Sequence, residues 1–260
     1  MDVSAIIGPI LFFDMTKSTE TYYIETEDWI LPVRVNRIRW ASIRFSMGRS
    51  GATLRLPASI PARKSEEVFR KFEAWVHKTF AKDAHWAMLF KRVEYRTDDR
   101  MVVNGRQYTL KILEEERKTN AGKLQEGNIL LRLREGQNPL ERQQAIRTLL
   151  SRVIGADFLP AITERVHQLN NEHFQQVVGQ VRLKYNRSNW GSCSSKKNIN
   201  LSTRLLLTPP PVIDYVIVHE LAHLLEMNHS PAFWRNVEQA MPNYREHERW
   251  LKEYGAACDF

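Results

Sequence analysis

His219-Glu220-Leu221-Ala222-His223-Leu224-Leu225-Glu226-Met227-Asn228-His229 is the stretch whose reading decides the fold of this 260-residue chain. Residues i and i+4 lie on one face of an α-helix, so a helix here presents the imidazoles of His219 and His223 to one ion. Glu220 stands one position round the helix, where it reaches a water on that ion without having to bind the ion itself. His229 needs another geometry, because a continued helix would carry it too far along the axis. Asn228 tolerates the left-handed conformation of a helix end, and Ser230-Pro231 reads as an N-cap followed by proline at the first helical position. The sequence therefore predicts a corner at His229 from which the chain folds back towards the ion. Three protein ligands and one open position are the pattern of a catalytic zinc site rather than a structural one. Glu238, on the next helix, is the alternative third ligand.

The context supports that reading. From Val212 to Met227 the residues outside the motif are almost all apolar, including Val216, Ile217, Val218, Leu221 and Leu224. A helix apolar nearly all round is buried. Two histidines and a glutamate buried without partners would be costly, and a metal removes the cost.

Composition bounds the rest. At 43% hydrophobic and 10% aromatic residues the chain is globular, and it is long enough to bury a sizeable core. Cys193 and Cys258 make no disulfide framework, which points to a reducing, cytoplasmic setting. The apolar run from Ala5 to Phe13 is broken by Gly8-Pro9 and is too short to span a membrane, so no membrane partner is expected. The net charge of +8 is unevenly spread. Residues 30–65 carry Arg34, Arg37, Arg39, Arg44, Arg49, Arg55, Arg63 and Lys64 with no acid. Residues 181–204 carry Arg182, Lys184, Arg187, Lys196, Lys197 and Arg204, again with no acid. Such runs are most often solvated faces; the functional reading is attraction of a polyanion or an acidic partner.

Working outward, residues 1–27 read as an extension without a strong period. Residues 28–135 read as a β-rich subdomain with one helix, and 136–260 as the helical metal-binding subdomain. Alternation around Ile30, Val33 and Val35, then Phe45 and Met47, then Leu54 and Leu56, predicts two or three antiparallel strands with one wet face. Ser65 is read as the cap of a helix whose core residues are Val68, Phe69, Phe72, Trp75, Val76 and Phe80. Asn104-Gly105 signals a hairpin, Ile129 to Leu133 a strand, and Asn138-Pro139 the start of a long helical region broken or bent at Gly155 and Pro160. Val181 to Tyr185 and Ile199 to Ser202 are read as a hairpin, with Trp190 to Ser195 as its turn. No internal repeat is legible.

These residues resemble a known family. Trp190-Gly191-Ser192-Cys193, Ile199-Asn200-Leu201, the proline-led helix with its two histidines, Asn228-His229-Ser230-Pro231 and Phe233-Trp234 are similar to the YgjP-like metallopeptidases and, more distantly, to SprT-like zinc proteases. The match is strongest over about residues 176–254 and weaker over 30–80. The resemblance implies an α+β fold, a zincin-like metallohydrolase core with an amino-terminal antiparallel β-rich subdomain. It also implies one zinc per chain held by His219, His223 and His229, with Glu220 as catalytic acid/base. Ser202 stands where the family pattern has a second asparagine.

Several functions fit this chemistry. A metallopeptidase would attack a polypeptide, here expected to lie along Ile199 to Ser202 as an added strand. A nucleotide pyrophosphatase would use the same water on an anionic phosphoanhydride, with the six basic residues of 181–204, Lys196 and Lys197 among them, facing the phosphates. A nucleic-acid-associated zinc module, or a peptidase acting on nucleic-acid-bound substrates, is the third possibility, and a Glu220 poised as a base argues against a zinc that is only structural. Tyr244 and His247 are candidate oxyanion donors. Glu226 is a candidate neighbour of the ligands, and Cys193 is read as a small packed side chain.

Overall fold

The computed structural model describes residues 18–39, 42–48 and 50–260. Period-two alternation builds its first sheet. Strands β1 (Thr19–Glu25), β2 (Ile30–Ile38), β3 (Arg44–Gly48) and β4 (Gly51–Pro57) lie in the order β1-β2-β4-β3. On β2 and β4, Val33, Val35, Leu54 and Leu56 are buried, while Arg34 and Arg55 between them are exposed. The buried face packs against helix α1 (Ala62–Lys82), whose Val68, Phe69, Phe72 and Val76 recur at helical spacing and join the same core. Phe45 meets Phe72 edge to face, with ring centroids 5.2 Å apart. Helix α2 (Ala84–Leu89) is capped by Asp83.

Three expectations change here. The central pair β2 and β4 is parallel, flanked by two antiparallel pairs. Strand β1 is formed by residues assigned to the extension; Ala5 to Phe13 lie outside the described residues. Helix α1 begins at Ala62 after Pro61, and Ser65 is buried within its first turns rather than capping it. Proline at the residue before the helix already sets the backbone angle, so a serine cap is not needed there.

A second sheet follows, made of β5 (Arg100–Val103), β6 (Arg106–Glu115), β7 (Ala121–Gln125) and β8 (Asn128–Arg134) in the order β5-β6-β8-β7. Asn104 and Gly105 take φ of 44° and 81°, the left-handed pair that a two-residue hairpin requires. Helix α3 (Pro139–Leu169) packs on β7 and β8, and Asn138 and Glu141 form the reciprocal capping box at its start. The chain divides into compact units of residues 1–93 and 94–260, whereas the sequence reading divided it after 135. The strands of the second sheet are covered by α3, which follows them in sequence, and so belong to its unit. Helix α3 also runs unbroken through Gly155 and Pro160.

Gly155 has a packing reason to be glycine. A Cβ there would lie 2.8 Å from the Thr203 methyl. Thr203 is fully buried and its hydroxyl is 2.6 Å from that of Ser151, so it has no room to yield. Overpacking of this kind costs about 1–3 kcal/mol, against about 1 kcal/mol gained by alanine in a helix interior. Gly155→Ala is therefore expected to lower the unfolding temperature by a few degrees; calorimetry showing a rise would contradict the tight contact.

The remaining strands are β9 (Val181–Lys184), β10 (Gly191–Cys193) and β11 (Ile199–Ser202), ordered β10-β11-β9. Strand β11 pairs in parallel with β9 and antiparallel with β10, so Gly191–Cys193 is a strand and not the turn of a hairpin. A 3₁₀ turn over Thr203–Leu207 leads to α4 (Pro210–Ala222), followed by α5 (Pro231–Ala240) and α6 (Tyr244–Tyr254). The architecture is α+β. Among the described residues no helix is long and apolar enough to cross a membrane.

Candidate metal centre

Helix α4 is buried on nearly every side, with Val212, Tyr215, Val216, Ile217, Val218, Leu221 and Ala222 all inaccessible. It ends at Ala222, and His223 is its cap, still right-handed at φ −66° and ψ −14°, which keeps the one-turn spacing from His219. The chain then leaves through tight turns, with Leu224 N–H donating to the Leu221 carbonyl at 2.9 Å. Asn228 is not among the residues with positive φ. The corner is made by these short turns, so no left-handed cap is required. Ser230 caps α5 as expected, its hydroxyl accepting from the Phe233 N–H at 3.3 Å.

This corner brings His229 back to the helix. Ligand atoms of His219, His223 and His229 lie within 4.8 Å of one another, and the Nε2 atoms of His219 and His229 are 3.0 Å apart. Among the described residues this is the one such cluster of histidine, cysteine and acidic groups. Glu238 is exposed on α5 and does not join it. Burial, together with the neighbouring imidazoles, pulls the His219 pKa down to about 4. Burial also lowers that of His223. Neutral imidazoles with converging nitrogens are what a divalent metal ligand set requires. His223 Nδ1 is 3.1 Å from the Glu226 carbonyl, a bond that fixes the tautomer and frees Nε2. Glu226 thus supports the site through its backbone, while its carboxylate faces the Asn228 N–H.

Glu220 is 5% exposed and burial pushes its pKa up to about 8, opposed in part by a hydrogen bond from the backbone of Cys193. Its Oε2 is buried with no hydrogen-bond partner. An unpaired buried carboxyl oxygen is costly and calls for a functional reason. Strand β10 presses on the same side chain: a Cβ on Gly191 would lie 2.5 Å from Glu220 Oε1. Burial and Glu220 raise the Cys193 thiol to about 11, so it stays protonated near neutral pH. It is a packed side chain, not a nucleophile.

The ring wall beside the histidines was only partly legible. Phe233 packs against all three imidazoles, at 4.9, 4.5 and 4.7 Å. Tyr244 is buried, stacked on Trp234 at 5.4 Å and on Tyr215 at 6.4 Å. His247 contacts Tyr215 at 6.5 Å, and Tyr215 meets His219 edge to face. Tyr215 precedes His219 by one helical turn, so the spacing that links the histidines also points to it. Lys196 and Lys197 are exposed in the turn between β10 and β11. Of the other basic residues in that stretch, Arg204 is buried: it donates to the carbonyls of Cys258 and Gly255 at 2.7 Å and lies 4.4 Å over the Trp190 ring.

The chain is similar to solved metallopeptidase zymogens. The zymogen of the metallopeptidase abylysin from Pyrococcus abyssi is 24% identical, with a TM-score of 0.34 over 36% of this chain and 95% of that one. The zymogen of jannalysin from Methanocaldococcus jannaschii is 18% identical, with a TM-score of 0.32 over 35% of this chain and 94% of that one. No functionally curated protein matches. The sequence pattern of the YgjP-like metallopeptidase domain matches residues 41–254, from the third strand to the end of the last helix, and the chain belongs to that family.

Proposed function

We propose that this protein is a zinc-dependent peptidase in which His219, His223 and His229 hold one zinc and Glu220 is the general base. The observation that carries the reading is the Glu220 carboxyl, buried, with one oxygen unpaired, on the helix that carries His219. Zinc would supply Lewis-acid polarisation of the scissile carbonyl and a more acidic water. Glu220 takes the proton of the attacking water at its unpaired oxygen and delivers it to the leaving amine. Tyr215, Tyr244 and His247 line the His219 side, from which a donor to the developing oxyanion would come.

Strand β11 lies between β9 and β10, so it offers no free edge to a substrate, contrary to the sequence expectation. The edge on the side of Glu220 is β10. Its ladder to β11 uses the Trp190 carbonyl and the Ser194 N–H, so by period two the backbone groups of Gly191 and Cys193 point away from β11, on the side of Glu220. An extended polypeptide pairing with this edge has its carbonyls presented beside the base. Of the six basic residues the phosphoanhydride alternative would use, Arg204 is occupied internally and Arg187 lies 3.8 Å from Asp259, while Lys196 and Lys197 stay exposed. Cys193 and Cys258, both unbonded, support the cytoplasmic setting. The reading is tested by incubating the zinc-loaded protein in parallel with an unfolded polypeptide and with nucleoside triphosphates. New amino termini without phosphate release are expected; phosphate release alone would refute the peptidase.

A further inference from the structure

The two four-stranded sheets repeat one architecture that the sequence hides. Each is followed by a long helix, and an offset of 77 residues maps one onto the other in every ladder: Tyr23↔Pro32 onto Arg100↔Thr109, Val33↔Ala52 onto Leu110↔Ile129, Arg44↔Arg55 onto Ala121↔Arg132, and Ala62 onto Pro139 at the helix starts. The second unit therefore serves as an internal control for the first.

On the face away from the helix, the second sheet pairs two of its cations with acids, while Arg100 and Lys123, at the places of Tyr23 and Ser46, are exposed and make no ion pair among the described residues. Lys111 pairs with Asp98, and Arg132 Nε lies 3.9 Å from Glu115. In the first sheet the equivalent cations are Arg34 and Arg55, but the equivalents of the two acids are Thr21 and Ile38. A third arginine, Arg44, replaces Ala121 and stands directly opposite Arg55. Like charges opposed across a ladder are destabilising. All three are exposed, and among the described residues none makes an ion pair. Arg37, in contrast, is turned inward beside Glu20 at 3.8 Å. The second sheet thus shows how the two central cations can be paired; the first lacks those two acids and sets Arg44 opposite Arg55, and its nearest acid on this face, Glu25, lies 4.0 Å from Arg92.

We propose that this face, Arg34, Arg44 and Arg55 with Tyr23 beside them, binds the backbone of a single-stranded nucleic acid. Guanidinium groups suit phosphates through paired donors. Thr21, Ser46 and Thr53 alternate with the arginines on the same face and supply further donors of the kind used on phosphate and sugar. Tyr23 is 37% exposed and gives a base a ring on which to stack. An acidic protein would use the cations but not the ring.

The test is a fluorescence-anisotropy titration of the full chain with a labelled oligothymidylate at several salt concentrations. Wild type is expected to bind at low salt with a steep salt slope. Arg34→Gln/Arg44→Gln/Arg55→Gln is expected to weaken binding at least about tenfold and to flatten the slope by about 2, as each single-strand phosphate contact contributes about 0.7. Thr21→Asp/Ile38→Glu, which installs the acids of the second unit, is expected to do the same without removing a cation. Unchanged melting curves in both variants exclude misfolding. Failure of wild type to bind, wild-type affinity and slope in both variants, or binding to phosphatidylserine vesicles but not to the oligonucleotide would each overturn the proposal. The readout is binding, so its failure leaves the peptidase reading untouched.

Discussion

Glu220→Gln is expected to retain the metal and the fold while hydrolysis falls at least about 100-fold, the usual contribution of a positioned general base. The amide is nearly isosteric with the carboxyl and accepts the same Cys193 N–H, but it cannot take a proton. The structure adds a reason to expect little loss of stability. The amide keeps the Cys193 hydrogen bond and, like the carboxyl, leaves one buried polar atom unpaired, so the polar burial is little changed. The measurement is the rate of polypeptide cleavage at matched metal content. A variant that cleaves at the wild-type rate would remove Glu220 from the chemistry.

Gly191→Ala is the second large effect. The added methyl would sit 2.5 Å from Oε1, 2.7 Å from Cγ and 2.8 Å from Cδ of Glu220. The carboxyl is enclosed, so the strain must be relieved by displacing either the base or β10. A misplacement of about 1 Å costs on the order of 100-fold in rate. Loss of cleavage by that factor with zinc content unchanged is the expected result. It differs from a ligand mutation, which loses the metal, and from simple unfolding, which loses both. Wild-type activity in Gly191→Ala would mean that Glu220 is not held by this strand.

The clustering of the three histidines was legible because it obeys short-range rules. His219 and His223 are fixed by one helical turn, and Ser230-Pro231 starts the next helix with local residues alone. The geometry of the corner was less so: Asn228 suggested a left-handed cap, and the chain turns instead through consecutive tight turns after Ala222. What sequence could not supply were contacts between distant residues. The pairing of β11 with β9, which buries β11 between two edge strands, depends on a parallel register with no local signature. The pressure of Gly191 on Glu220 joins residues far apart in the chain. The repeated sheets escaped detection for a related reason. Burial constrains only polarity and size, so Phe72 and Leu149 fill equivalent places on α1 and α3 without resembling each other.

The central claim is that three histidines on α4 and the corner after it form one metal centre. Plasma mass spectrometry of the purified protein and of His223→Ala tests it most directly. One zinc per chain in wild type is expected, held by the three imidazoles, with retention in the variant falling at least about tenfold after dialysis against a weak chelator. Equal zinc in both proteins would contradict it.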